Sequence, residues 1–234
     1  MRNKISVFLP TRKGSERVVN KNTRPFAGRK GGLLALKLEQ LLATQDITEI
    51  ILSTNDPVSI EIAGKFSDHD DRLKIIPRPD ELALSSTNLT DLIRYVPTIC
   101  SQKNILWTHV TSPFTAEKMY SDAIQKYFEV IEKGTFDSLM SVKPFHNFLW
   151  SRNKRDIINR SRNTQRWPRT QDLEELFEIT SAIFIAPKSV YHKSLDRIGA
   201  NPFLFEQSER SAFDIDWEHD FELAEKIFKH ETNK

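Results

Sequence analysis

Ile5-Ser6-Val7-Phe8-Leu9-Pro10 runs directly into Thr11-Arg12-Lys13-Gly14-Ser15-Glu16-Arg17-Val18-Val19-Asn20-Lys21-Asn22, and this junction decides the fold. The apolar run is too short for an ordinary helix and suits a buried strand. Four cations (Arg12, Lys13, Arg17 and Lys21) then fall within ten residues. Open α/β sheets bind ligands outside the carboxyl ends of their parallel strands, where this loop begins. Gly14 lets the backbone pass close to a ligand, and successive amides in such a turn form an anion nest. Arginine adds a fork for phosphate oxygens, and lysine a point charge. The same cations would equally suit a solvated basic loop. The spacing is neither a Walker A loop nor G-x-G-x-x-G, which argues against an ordinary P-loop ATPase or a dinucleotide dehydrogenase.

Outward from this junction, strand and helix patterns alternate. Residues 33–43 place Leu34, Leu38, Leu41 and Leu42 on one face of an amphipathic helix. Residues 49–54 form a second strand, and Pro57 suits the first turn of a helix reaching about Phe66. Residues 73–76 form a third strand, stopped by Pro77 and Pro79. Asn88 with Asp91 three positions on is a capping pattern for a helix through Cys100. Residues 104–109 read as a strand before a Thr111-Ser112-Pro113 turn, 116–133 as a helix ended by Gly134, and 138–142 as a strand. Such alternation predicts an α/β protein with a mostly parallel sheet and right-handed crossovers. Between about 143 and 177 the pattern breaks into a polar stretch holding Trp150 and Trp167, which reads as an insert. Regular structure resumes at 182–186, then a short helix from Lys188 and a last helix from Glu218 to about His230.

A length of 234 residues suits one α/β domain with a small insert. The lone Cys100 excludes an intrachain disulfide and a multi-cysteine zinc site, and reads as a small core residue. No stretch approaches the roughly 18 apolar residues that span a bilayer, and the apolar run near the N-terminus is too short for a signal peptide. No membrane partner is expected. Asp214 and Asp216 stand two apart, so in a strand both carboxylates would share one face, with Phe213, Ile215 and Trp217 on the other. Such a pair suits a divalent cation that also meets phosphate oxygens and water, or a plain solvated strand face. Arg152, Lys154, Arg155, Arg160, Arg162, Arg166 and Arg169 face a single acid, Asp156, between residues 152 and 169. With no nucleic-acid motif this reads as an exposed basic arm, and no nucleic-acid partner is expected.

The pattern R-x-G-S-x-R-x-x-x-K-N, followed by Phe26 and Gly28, resembles the signature loop of the acylneuraminate cytidylyltransferases. That family includes the pseudaminic and legionaminic acid enzymes, with the KDO cytidylyltransferases as more distant relatives. Four landmarks follow in order: Arg78-Pro79-Asp80-Glu81-Leu82-Ala83, Thr111-Ser112-Pro113, Arg169-Thr170-Gln171-Asp172-Leu173-Glu174 and Asp214-Ile215-Asp216. The resemblance spans nearly the whole chain. It implies an α/β, three-layer, Rossmann-like nucleotidyltransferase fold over residues 1–234, with a small dimerisation insert at about 143–177. It also implies a cytoplasmic homodimer that joins CMP from CTP to an acidic nine-carbon sugar of the sialic acid type, with Mg²⁺ as cofactor and release of pyrophosphate.

Residue by residue, the resemblance places Arg12, Gly14, Ser15, Lys21, Asn22 and Arg78 at the nucleotide. Arg12, Lys21 and Asp216 become the catalytic group, and Asp214 and Asp216 the metal pair. Thr90, His109, Thr111, Ser112 and Gln171 fall at or near the sugar. His109 stands where many sialic acid enzymes carry Gln; it would hydrogen-bond the sugar, act as a base, or serve only structure. Departures concentrate in the sugar half. Gly28-Arg29-Lys30-Gly31-Gly32 replaces the usual Gly-Lys-Pro, and Thr180-Ser181, preceded by Glu178, replaces the usual Asn-Gly. KDO, pseudaminic or legionaminic acid are therefore alternative substrates, with Arg17 leaning toward the pseudaminic branch. A catalytically silent nucleotide-sugar-binding protein is a further alternative.

Overall fold

The computed structural model describes residues 4–160 and 165–232. Arg162 of the basic arm lies outside the described residues. The chain runs β1 (Ile5–Pro10), α1 (Gly32–Ala43), β2 (Glu49–Thr54), α2 (Pro57–Ser67), β3 (Leu73–Pro77), α3 (Leu89–Ile99), β4 (Asn104–Trp107), α4 (Glu117–Glu132) and β5 (Ser138–Phe145). After the short pair β6 (Trp150–Ser151) and β7 (Asp156–Ile157) come β8 (Leu176–Pro187), α5 (Lys188–Ser194), β9 (Pro202–Glu206) and α6 (Glu218–Thr232). Seven strands make one sheet in the order β3-β2-β1-β4-β8-β5-β9. Only β8 runs against its neighbours, β4 and β5. The chain builds outward from β1 through β2 to β3, then returns to lay β4 on the other side of β1. That reversal opens a crevice outside the carboxyl ends of β1 and β4, the place where open α/β sheets take ligands.

Period-two alternation along the central strands makes the three layers. Val7, Leu9, Ile50, Leu52 and Leu106 point to the core shared with α1, α2, α4 and α6. Phe8, Ile51, Ile105 and Trp107 point to the opposite core, shared with α3 and α5. Each buried aliphatic side chain of these cores stabilises the fold by about 2 kcal/mol. Asp56 caps α2 by accepting from Val58 N, and Pro57 opens that helix. Asn88 caps α3 through Thr90 N, but Asp91 turns to Arg94 (3.3 Å) instead of completing a capping box.

Several expectations from sequence are corrected. The strand expected at 104–109 ends at Trp107, and β9 was not anticipated. Both flanks of the proposed insert are sheet: β5 extends to Phe145 and β8 starts at Leu176, well before residue 182. Asp214–Asp216 is not a strand; Ile215 N bonds the Thr111 carbonyl at 3.0 Å, and Trp217 is exposed instead of packed. Within 146–175, the buried Asn159 organises the chain, accepting from Leu149 N and donating to the Asn147 carbonyl. Among the described residues no helix is long and apolar enough to cross a membrane.

Candidate active site

The loop after β1 is held from both sides. Val18 is buried in the core, and a turn from Val18 to Arg24 is closed by Lys21 N on the Val18 carbonyl and Arg24 N on the Asn20 carbonyl. Its return is fixed to α1 by Leu34 N on the Asn22 carbonyl. Gly32 permits that approach: its φ is +61°, and a Cβ there would lie 2.2 Å from the Arg24 carbonyl oxygen. The Gly-rich departure from the family's Gly-Lys-Pro thus has a packing reason.

This loop, the segment after β3 and the segment after β4 enclose a cavity of about 560 Å³ at the crevice. Arg12, Ser15, Arg17, Lys21, Asn22, Arg78, His109 and Thr111 line it, and Glu16 is its only acidic lining residue. A second cavity, of about 400 Å³, shares Arg12, Ser15 and Asn22 and adds Lys13, Gly14 and Arg24. The loop is therefore a basic wall between two hollows, and Gly14 belongs to the second.

Arg78 is almost fully buried, its Nη2 donating to the Ser53 carbonyl at 2.8 Å. Burial lowers its guanidinium to about 10, Tyr95 opposing and Arg12 adding to the shift. A buried cation with no ion-pair partner among the described residues, on a cavity wall, favours an anionic occupant. Arg12 has only a loose contact to Glu16, at 3.9 Å.

The acidic pair stands beside this wall. Lys21 Nζ donates to the Ile215 carbonyl at 2.6 Å, and Arg17 pairs with Asp216 at 2.8 Å. Burial pulls the Lys21 ammonium below the ordinary lysine range, while Asp214 and Asp216 oppose the shift. Burial also raises the Asp214 carboxyl; the Thr111 hydrogen bond and Lys21 oppose this, and Asp216 adds to it. Neither aspartate is a lining residue of the cavity; of the residues that are, Arg17 pairs with Asp216, Thr111 hydrogen-bonds Asp214 and Lys21 bonds the Ile215 carbonyl between them.

Other predicted site residues scatter. Thr111 lines the cavity, while Ser112 is buried behind it with its hydroxyl 3.5 Å from Asp214 Oδ1. Thr90 is absent from the lining, which there takes Thr87, Asn88 and Leu89. Gln171 is exposed in a short 3-10 turn at 170–172, and the structure does not bring it to the cavity.

One site-supporting residue went unseen in the sequence. Lys37 is fully buried in α1 and donates to the Ser112 and Thr115 carbonyls and the Tyr120 hydroxyl, each at 2.9 Å. Burial lowers it to about 7, with Asp214 opposing. Its three donors fix the turn that carries Thr111 and Ser112. The available signal was its place four residues from both Leu33 and Leu41, on the buried face.

The sheet order, with its cavity at the switch point, is that of the Rossmann-like α/β nucleotidyltransferase fold. The solved CMP:2-keto-3-deoxy-manno-octonic acid synthetase complexed with CTP has this fold, with a TM-score of 0.69 at 14% identity over 97% of this chain and 99% of that one. The chain belongs to the cytidylyltransferase family, which it matches over residues 6–234. It is 22% identical over 232 residues to a pseudaminic acid cytidylyltransferase of Campylobacter jejuni, covering 96% of this chain and 97% of that protein. It is 25% identical over 229 residues to an N-acylneuraminate cytidylyltransferase of Escherichia coli, covering 96% of this chain but 52% of that protein.

Proposed function

We propose that this protein transfers CMP from CTP to a nonulosonic sugar acid, releasing pyrophosphate. The observation that carries the reading is the convergence of Arg12, Arg17, Lys21 and Arg78 on one cavity at the switch point, with Asp214 and Asp216 close to Lys21. Nucleotidyl transfer needs charge neutralisation and alignment more than covalent help. Arg12 and Lys21 neutralise the triphosphate and the departing pyrophosphate, Ser15 and Asn22 orient it, and Arg78 holds the nucleotide from the buried wall. His109 and Thr111 face the sugar, whose anomeric hydroxyl attacks the α-phosphorus in line.

Among the described residues no cluster of three or more His, Cys, Asp or Glu forms a complete metal site. A two-carboxylate site nonetheless fits Mg²⁺, which commonly takes one or two carboxylates together with phosphate oxygens and water. Asp216, half exposed, and the more buried Asp214 would hold it. Bound there, the ion would supply electrostatic stabilisation of the phosphate oxygens. The chain's own part is to hold Asp216 near Arg17 and to fix Lys21 beside the acids through the Ile215 carbonyl.

We propose pseudaminic acid as the sugar, ahead of the legionaminic, sialic and KDO acids. End-to-end matches to both pseudaminic and legionaminic acid enzymes support a sugar of that group, and Arg17 on the cavity wall is what tips the proposal toward pseudaminic acid. Residues 143–177 are assigned to a homodimer interface on the family resemblance. The test mixes protein, CTP and Mg²⁺ with pseudaminic, legionaminic, N-acetylneuraminic and KDO acids while pyrophosphate is monitored. Release with pseudaminic acid above the others supports the assignment. CTP binding by calorimetry without release from any acid would make this a silent binder, and no binding at all would end the reading.

A further inference from the structure

We propose that His109 is a fixed hydrogen-bond donor of the sugar site, locked by Trp107 and Arg197 so that Nδ1–H meets a sugar oxygen that can only accept. The identity of that ligand rests on the function proposed above; the lock itself does not.

The geometry is specific about protons. Trp107 Nε1 lies 3.0 Å from His109 Nε2, and an indole nitrogen only donates. Arg197 Nη1 lies 3.5 Å from the same Nε2, and a guanidinium also only donates. Both contacts demand a lone pair on Nε2, so the ring proton sits on Nδ1. No protein group among the described residues accepts from Nδ1, and His109 lines the cavity.

Both locking groups are held by aromatic packing. Trp107 is fully buried in β4, edge-on to Phe8 at 4.7 Å and paired in register with Phe8 and Phe184. The Arg197 guanidinium stacks 3.9 Å from the Phe184 ring centre and 4.9 Å from that of Trp107. It has no carboxylate within ion-pair distance among the described residues, so its positive charge bears on the imidazole. Burial first, then Arg197, Arg78 and Lys21, hold the imidazole down to about 3. A neutral ring whose only lone pair is occupied cannot take a proton from the sugar hydroxyl. It can select an acceptor, such as the carboxylate or an N-acyl carbonyl of the sugar acid.

The first test is ¹⁵N NMR of histidine-labelled, ligand-free protein at pH 7. The expected result is a neutral His109 protonated on Nδ1 in the parent and in Arg197→Met, where the closer donor Trp107 remains, and a tautomer mixture once Trp107→Phe is added and both donors are gone. An Nε2-protonated ring, an imidazolium, or a Trp107→Phe/Arg197→Met spectrum identical to the parent overturns the lock. The second test is kinetic. His109→Ala raises the KM for the sugar acid about tenfold, as loss of one well-placed hydrogen bond does. CTP KM stays unaffected, kcat moves less than sugar KM, and His109→Gln, which keeps an N–H donor, recovers most of the loss. An unchanged sugar KM in His109→Ala, or loss of an ascending limb from the kcat pH profile, overturns the donor role. An effect shared by N-acylated and unacylated sugar acids assigns the carboxylate; one confined to the acylated acid assigns the carbonyl. Failure of the parent to turn over any sugar acid would count against the proposed function, with the NMR result still deciding the lock.

Discussion

The Lys21 ammonium donates to the Ile215 carbonyl at 2.6 Å, across 194 residues of sequence. This one bond ties the basic loop to the segment carrying both aspartates. It leaves two ammonium protons for a ligand. Lys21→Met should lower turnover by about 10² to 10³, the range seen when one transition-state donor is removed. Arg12→Ala, at a partly exposed position, should show a similar loss with an unchanged circular dichroism spectrum. Near-normal rates in either variant would remove that residue from the chemistry.

Arg17 and Asp216 form a second tie, and here the partners compete. Asp216 cannot serve Arg17 and a divalent cation equally. Arg17→Ala should lower the Mg²⁺ concentration giving half-maximal turnover, and Asp216→Asn should raise it. A titration of rate against Mg²⁺ at saturating CTP reads both. Equal midpoints in parent and Asp216→Asn would exclude that carboxylate as a ligand.

Lys37 is a stability prediction with a functional edge. Lys37→Met conserves most of the volume but leaves the Ser112 and Thr115 carbonyls without their donor in a dry core. The expected cost is about 3 kcal/mol, from two buried acceptors left unpaired. Urea unfolding measures it; a midpoint equal to the parent's would show that the turn does not depend on this residue.

His109 makes acid stability predictable. Its folded pKa, about 3, lies below the ordinary value of 6.5, so between those limits the unfolded chain binds the extra proton. Stability contributed by the neutral ring is complete above about pH 6.5 and is lost as pH falls toward 3. His109→Gln should therefore show a shallower fall in unfolding free energy between pH 6.5 and 4. Parallel curves for parent and variant would mean that the ring titrates normally.

The central strands were legible because ISVFLP and EIILST are short apolar runs that only a doubly covered strand can bury. The direction of β8 was not. Ala182 to Ala186 is buried throughout, and a run buried on both faces carries no mark of orientation. At Asp214–Asp216 the alternation of acid and apolar residues imitated a strand, whereas a tertiary bond from Ile215 N to Thr111 decides the conformation. The site divides along the same line. Arg12 and Lys21 could be picked from type and spacing in the basic loop, and Arg78 through the family resemblance alone. The Arg17–Asp216 pair and the convergence of Trp107 and Arg197 on His109 depend on distances between remote segments, which spacing does not encode.

Phe145 and Leu176 are cross-strand partners at the end of the β5–β8 ladder. The polypeptide therefore leaves the sheet and rejoins it at facing positions, as in a hairpin with an enlarged tip. A tight turn, or a different module, spliced between those two positions should leave the strand register around them unchanged. The chain between them is thus free to diverge in sequence and length, because its stem is already closed.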